Sequence, residues 1–291
     1  MKKTFDELVL AHPCFSAGAK PNKGRVHLPV SFGCNIQCNF CDRKLNNIDR
    51  RPGVAAEVIS PDEAVDIVRN AIALCPDITV TGAAGPGETL ATPYALETFR
   101  RIKAEFPSII KCMSTNGLLL PDFAAEIIDV EIDSLTVTVN AVDPEIQAQI
   151  CEEIFYKGGR YYGREAAEIL IHNQLDGIEK LSKAGVTVKV NTVLIPEINA
   201  DHVPAIAKTV SEAGARIYNI IPLIPQHNLA WCSAPDCTLI SSTRAKAEQY
   251  IKVFRHCQRC RADAAGIPGG EDISQQLYIR LVRLENTFSH G

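Results

Sequence analysis

Residues 26–41 read VHLPVSFGCNIQCNFC, an apolar run from Val26 to Val30 followed by three cysteines, Cys34, Cys38 and Cys41, separated by three and then two residues. The apolar run has the makeup of a buried strand. The spacing lets three thiolates wrap one corner of a cubane, binding three irons of a [4Fe-4S] cluster and leaving the fourth iron without a protein ligand. Structural zinc is the alternative, but such sites usually close with four ligands, and the residues after Cys41 are Asp42, Arg43 and Lys44. The cysteine loop follows this strand directly, in agreement with a parallel barrel whose working residues stand at the C-terminal strand ends.

Strand-like and helix-like segments then alternate. Residues 61–75 predict a helix with Ser60 as N-cap and Pro61 in the first turn. Further strands are expected at 78–81, 109–114, 135–139, 186–194 and 217–221, with helices near 93–105, 121–129, 164–184 and 201–213. Gly185 and Gly214 close the last two helices. Six such units favour a curled parallel sheet, a (β/α)6 partial TIM barrel, because parallel neighbours need helical crossovers. The chain reads as a single domain over 1–291: an N-terminal arm 1–23, a core of about 24–225, and a cysteine-containing C-terminal extension 226–291. Within the extension, QQLYIRLVRLENTF (275–288) has an amphipathic helical pattern.

With 291 residues, 46% of them hydrophobic, the chain can bury a sizeable core. A net charge of -4 gives no electrostatic reason to expect nucleic acid. No apolar run approaches the roughly 18 residues of a membrane span. The eleven cysteines, with no secretory signal, point to a reducing compartment in which thiols hold metal, so a soluble cytoplasmic protein is expected.

The strand ends carry the remaining chemistry. TGAAGPGE places Gly82, Gly85, Gly87 and Glu88 after the second strand, where glycine permits close backbone approach and a carboxylate accepts from an ammonium. CMSTNG contributes Cys112, Ser114 and Asn116, and the fourth strand ends at Asn140. These short polar side chains suit hydrogen bonds to a ribose or carboxylate, and suit Asx and Ser/Thr turns equally. Asn191 is positioned for a carboxylate, whereas Ile195 and Pro222 suit either adenine stacking or core packing. In HCQRC, Cys257 and Cys260 beside His256 can clamp a metal, and Arg255 and Arg261 would favour their thiolates. Cys75 and Cys151 read as small buried hydrophobes.

The three-cysteine spacing, with an aromatic residue, Phe40, just before the last cysteine, resembles the radical S-adenosylmethionine (SAM) superfamily. The resemblance implies that Cys34, Cys38 and Cys41 hold the catalytic cluster. SAM would chelate the open iron and be cleaved by one electron to methionine and a 5'-deoxyadenosyl radical. Gly85, Gly87 and Glu88 look like the motif for the SAM amino group.

A longer ordered set, from HPC at 12–14 through RPGV, AGPGE, STNG, TVNAVDPE, KGGRYYGREAAEIL, VNTVLIPEIN and NIIPLIP to HCQRCRADA, resembles the nitrogenase cofactor-biosynthesis family NifB. That resemblance implies two further [4Fe-4S] clusters, fused with a SAM-derived carbide into a cofactor precursor. Cys14, His27, Cys112, Cys257 and Cys260 would be accessory cluster ligands, although a lone histidine such as His27 also has structural uses. The implied partners are SAM, iron-sulfur cluster donors, cofactor scaffold or carrier proteins and a low-potential reductant. One departure stands out: between Cys41 and Arg51 the family has a further cysteine and a glutamate, where this chain has Asn46, Asn47 and Asp49. Asp49, or Cys232 with Cys237, are the alternative donors. A divergent radical SAM enzyme with fewer clusters and an iron-sulfur carrier are the competing readings.

Overall fold

The computed structural model describes residues 3–15 and 23–278. Its elements are α1 Phe5–Ala11, β1 Gly24–His27, β2 Ile36–Cys38, β3 Lys44–Leu45, β4 Val54–Ala55, α2 Pro61–Leu74, β5 Ile78–Ala83, α3 Tyr94–Glu105, β6 Ile110–Thr115, α4 Leu120–Asp129 and β7 Ser134–Thr138. They continue with α5 Pro144–Ile150, β8 Cys151–Tyr156, β9 Gly159–Tyr162, α6 Gly163–Lys183, β10 Thr187–Leu194, α7 Val203–Glu212, β11 Ile217–Pro222, α8 Cys237–Ala247, β12 Ala265–Gly266 and α9 Ser274–Leu277.

β1, β5, β6, β7, β10 and β11 pair in parallel and in sequence order, giving the curled half-barrel expected from the alternating pattern. The outward-facing residues of these strands and the helices packed behind them form the main apolar core, with Val26, Phe99, Leu135, Val190 and Tyr218 among its buried members. Local signals set the helix starts. Ser60 and Glu63 form a reciprocal capping box at α2, with Pro61 in the first turn. Asp143 caps α5 by accepting from the amides of Glu145 and Ile146.

The first strand ends earlier than the apolar run suggests, at His27, because Pro29 has no amide to donate. The hairpin β8–β9 and the short helix α5 are further additions. Lys157 and Gly158, both at positive φ, make the two-residue turn of that hairpin, a turn more often written with Asn or Asp before Gly. β8 pairs antiparallel with β2 inside the cysteine loop, making a separate three-stranded sheet.

The C-terminal extension touches both edges of the half-barrel. Val253 bridges Tyr218 on β11, and the Phe254 amide donates to the Tyr218 carbonyl at 2.7 Å. β12 then pairs antiparallel with β1, Val26 opposite Ala265. Residues 254–265 therefore cross from one sheet edge to the other. The expected helix at 275–288 lies largely outside the described residues; within them α9 ends at Leu277, with Tyr278 as its C-cap. Among the described residues no helix is long and apolar enough to cross a membrane.

Candidate active site

Alternate residues on each barrel strand face inward and line one cavity of about 340 Å³: Arg25 and His27, Val80 and Gly82, Cys112 and Ser114, Thr136 and Thr138, Lys189 and Asn191, Asn219 and Ile221. Its remaining walls come from the arm (His12, Cys14), the cysteine loop (Phe40, Cys41) and the crossing segment (His256, Cys257, Cys260). The cavity thus gathers Cys14, His27, Cys112, Cys257 and Cys260, which are far apart in sequence, with Phe40, Cys41, Ser114 and Asn191. Cys34 and Cys38 lie behind Cys41, partly buried against Ile36, Leu118 and Ile154. Among the described residues no group of three or more His, Cys, Asp or Glu is set to hold a single metal ion.

The cysteine loop is clamped from two sides. The amides of Gly87 and Glu88 donate to the carbonyls of Ser31 and Gly33, both at 2.8 Å. A Cβ on Gly87 would collide with the carbonyls of Phe32 and Gly33, so only glycine permits this approach. On the other side, the Asn39 amide donates to the Ile150 carbonyl and that of Phe155 to the Asn35 carbonyl, each at 2.8 Å. Glu88 is buried with both oxygens engaged: Oε1 accepts from Thr115 Oγ1 at 2.6 Å and from the Leu90 amide, and Oε2 accepts from the Asn116 amide at 2.6 Å. Gly87 and Glu88 therefore brace the loop, and Gly85, Gly87 and Glu88 lie outside the cavity lining. Burial pushes the thiols of Cys34 and Cys41 up to about 12 and about 11. Cys38 is also raised, first through a hydrogen bond with Cys151, its partner across β2 and β8. That fourth sulfur beside the motif was not expected from sequence, since only the pairing of two distant strands creates it.

Around the cavity, hydrogen bonds fix two imidazoles, the buried His12 and the half-buried His27, in opposite tautomers. His27 Nδ1 lies 3.0 Å from the Arg261 carbonyl, which can only accept, so its Nε2 keeps a lone pair. His12 Nδ1 accepts from the Cys14 amide at 3.1 Å, so Nε2 carries the proton, and this buried atom has no partner. Burial holds His27 down to about 4 and His12 to about 3, keeping both neutral. Gly82 separates His27 from Cys112: a Cβ there would meet His27 Cδ2 at 3.5 Å and Cys112 Cβ at 3.7 Å, so its absence leaves room between two candidate ligands. Cys257 and Cys260 lie on an irregular segment and do not open a helix as a redox Cys-x-x-Cys would.

The arginines expected beside that pair are committed elsewhere, Arg255 to Glu248 and Arg261 to Asp263. The reason is that nearby carboxylates compete for them. Arg25 on β1 instead reaches Cys260 Sγ, at 3.2 Å. In the divergent loop, Asn46 Oδ1 accepts from the amides of Ile48 and Asp49, an Asx turn, and Arg261 donates to the carbonyls of Asn46 and Asp49. The Asp49 carboxylate faces Arg51 at 3.6 Å. Cys232 is buried beside Leu229 and Cys237 is exposed at the start of α8, and neither lines the cavity.

The radical SAM superfamily model matches residues 28–210. The FeMo cofactor biosynthesis protein NifB of Methanocaldococcus infernus is 42% identical over 276 residues, covering 94% of this chain and 91% of that protein. The chain belongs to the NifB family of the radical SAM superfamily. The Klebsiella pneumoniae NifB is also 42% identical, over 91% of this chain, and this chain spans 58% of its length. In fold, a radical SAM methyltransferase from Sphaerobacter thermophilus superimposes with a TM-score of 0.60 at 16% identity, covering 80% of this chain and 66% of that one.

Membership in the radical SAM superfamily implies a [4Fe-4S] cluster on Cys34, Cys38 and Cys41, and SAM. The donors present fit: three free thiols on one braced loop, soft ligands for iron, with no fourth cysteine in the loop. Phe40 packs against the group that holds Ile195, Ala141 and Leu223. Asn140 Oδ1 accepts from the Val193 amide at 2.9 Å, and Asn116 Nδ2 donates to Asn35 Oδ1 at 2.7 Å. These two asparagines and the fully buried Ile195 stand outside the cavity lining, tying strand ends together. Asn191 Oδ1 accepts from Asn219 Nδ2 at 3.1 Å, which leaves Asn219 Oδ1 buried and without a partner. Asn219, Lys189 and Arg25 are lining residues that sequence reading did not single out.

Proposed function

We propose that this chain builds a nitrogenase cofactor precursor by fusing two [4Fe-4S] clusters, its substrates, around a carbide derived from SAM. One observation carries the reading: the cavity that Phe40 and Cys41 open into is also walled by Cys14, His27, Cys112, Cys257 and Cys260. Five iron-binding side chains from the arm, β1, β6 and the crossing segment exceed what SAM needs. The 42% identical relatives, FeMo cofactor biosynthesis proteins, support the same assignment.

The motif cluster with SAM supplies reductive cleavage of a carbon-sulfur bond and a carbon radical. The chain's own residues set the conditions. Cys34, Cys38 and Cys41 hold the cofactor, and the clamp through Gly87 and Glu88 fixes the loop that carries them. His27, held neutral with its Nε2 lone pair free, suits an iron ligand that is exchanged as the cargo is remodelled. His12 Nε2–H suits a sulfide or thiolate acceptor. The apolar group around Phe40 and Ile195 excludes water next to the open side of the motif.

Anaerobic reconstitution should load about twelve iron atoms per chain, three cubanes. Dithionite with SAM should then yield 5'-deoxyadenosine. Iron near four with SAM cleavage retained would favour instead a divergent radical SAM enzyme, a reading supported by the Asx turn standing where the family has a ligand. Full iron without SAM cleavage would leave a cluster carrier.

A further inference from the structure

We propose, resting on the function above, that Lys189 and Arg25 are the residues that neutralise the charge of an anionic iron-sulfur cargo and so retain it in the cavity. The buried lysines and arginines among the described residues are Arg25, Lys111, Lys189 and Arg261. Two of them have carboxylates: Lys111 faces Asp133 at 3.9 Å, and Arg261 binds both oxygens of Asp263 at 2.8 Å. Among the described residues the other two have no carboxylate within ion-pair distance, and these two line the cavity. Lys189 Nζ donates to the Cys14 carbonyl at 3.3 Å and stands 4.5 Å from the centroid of the Phe254 ring. Arg25 donates through Nη1 to the Gly266 carbonyl at 2.6 Å and through Nη2 to Cys260 Sγ at 3.2 Å, and its buried Nε has no partner. Asp272, which feels Arg25 from a distance, is paired with Arg50.

A buried charge without a counter-ion is costly, and proteins keep one where a ligand completes the pair. The occupant of this cavity therefore brings negative charge. A sulfide cage bound by thiolates does so, and Lys189 and Arg25 flank Cys14 and Cys260, two of its candidate ligands. The same cations repel a sulfonium. They sort the two substrates, the cluster to the Lys189 side and SAM to the Phe40 side.

The test uses the full chain, anaerobically, as wild type, Lys189→Met, Lys189→Arg and Arg25→Met. Thermal unfolding of the cluster-free protein should give a higher Tm for Lys189→Met than for wild type, because an unpaired buried charge is gone. After reconstitution, Lys189→Met and Arg25→Met should release accessory iron to a chelator about tenfold faster or more, a difference of about 1.4 kcal/mol or above. Lys189→Arg should hold it as wild type does. A lower cluster-free Tm for Lys189→Met would show that the ammonium is already paired and overturn the proposal. Equal release from wild type and both methionine variants, with accessory iron present in each, would overturn this inference alone. Wild type holding only its motif cluster would overturn the functional reading, and this inference with it.

Discussion

Burial keeps the thiols of Cys34, Cys41 and Cys112 protonated well above their ordinary 9.0, up to about 12, about 11 and about 12. Iron binding requires thiolates, so loading these sites releases protons and is favoured by rising pH. In the cluster-free chain the sign is opposite. The folded state keeps protons that the unfolded state gives up, so this contribution to stability is intact below pH 9 and is lost as pH rises from 9 towards 12. Urea midpoints of cluster-free protein should fall across that window, and replacing the three cysteines with serine should flatten the fall. At this scale residue type and spacing singled out Cys257 and Cys260 as metal ligands, while Cys14, His27 and Cys112 were singled out as such only by the family resemblance. The structure brings all five to the lining of one cavity. Lys189 and Arg25 were not readable, because a charged residue in a strand ordinarily signals a solvated face, and only the curl of the sheet turns theirs inward. Glu88 and Asn140 carry polar groups that suit a ligand as well as a turn, and their bonds run to neighbouring backbone.

Among elements, the hairpin β8–β9 braces the cysteine loop by pairing β8 with β2. Ile154, fully buried, pairs with Ile36 and packs beside Cys34 and Cys38. Ile154→Ala should lower stability by about 2–5 kcal/mol, measured by denaturant unfolding, and accelerate iron loss from the motif cluster. Unchanged iron retention in a measurably destabilised variant would separate the hairpin from the loop. The six parallel strands and most helices were legible from their apolar periodicity, and α2 also from its cap, Ser60, Pro61 and Glu63, whereas α3, α4, α6 and α7 have no side-chain cap. The hairpin was not. Its turn, Lys157-Gly158, lacks the usual Asn or Asp, and its strands are half exposed, so their pattern is weak beside the barrel strands.

For the molecule as a whole, the crossing segment joins the divergent loop to the barrel through one buried ion pair. Arg261 binds Asp263 and the carbonyls of Asn46 and Asp49, while Asp263 Oδ2 accepts from the Ala56 amide at 2.5 Å. Arg261→Ala strands a buried carboxylate and should cost about 3–5 kcal/mol in chemical denaturation, with a parallel loss of accessory iron. The loop after Cys41 is thus held by Arg261 and by its own Asx turn.

A parallel half-barrel alone would have two free rims able to spread or pinch independently. With Phe254 stitched to Tyr218 and Ala265 laid against Val26, the polypeptide becomes a hoop whose girth is set by a dozen residues, two of them sulfur donors. Any swelling of the contents must stretch that belt or undo one of its seams, so the size of what the chamber can hold and the grip on it are governed by the same short stretch of backbone.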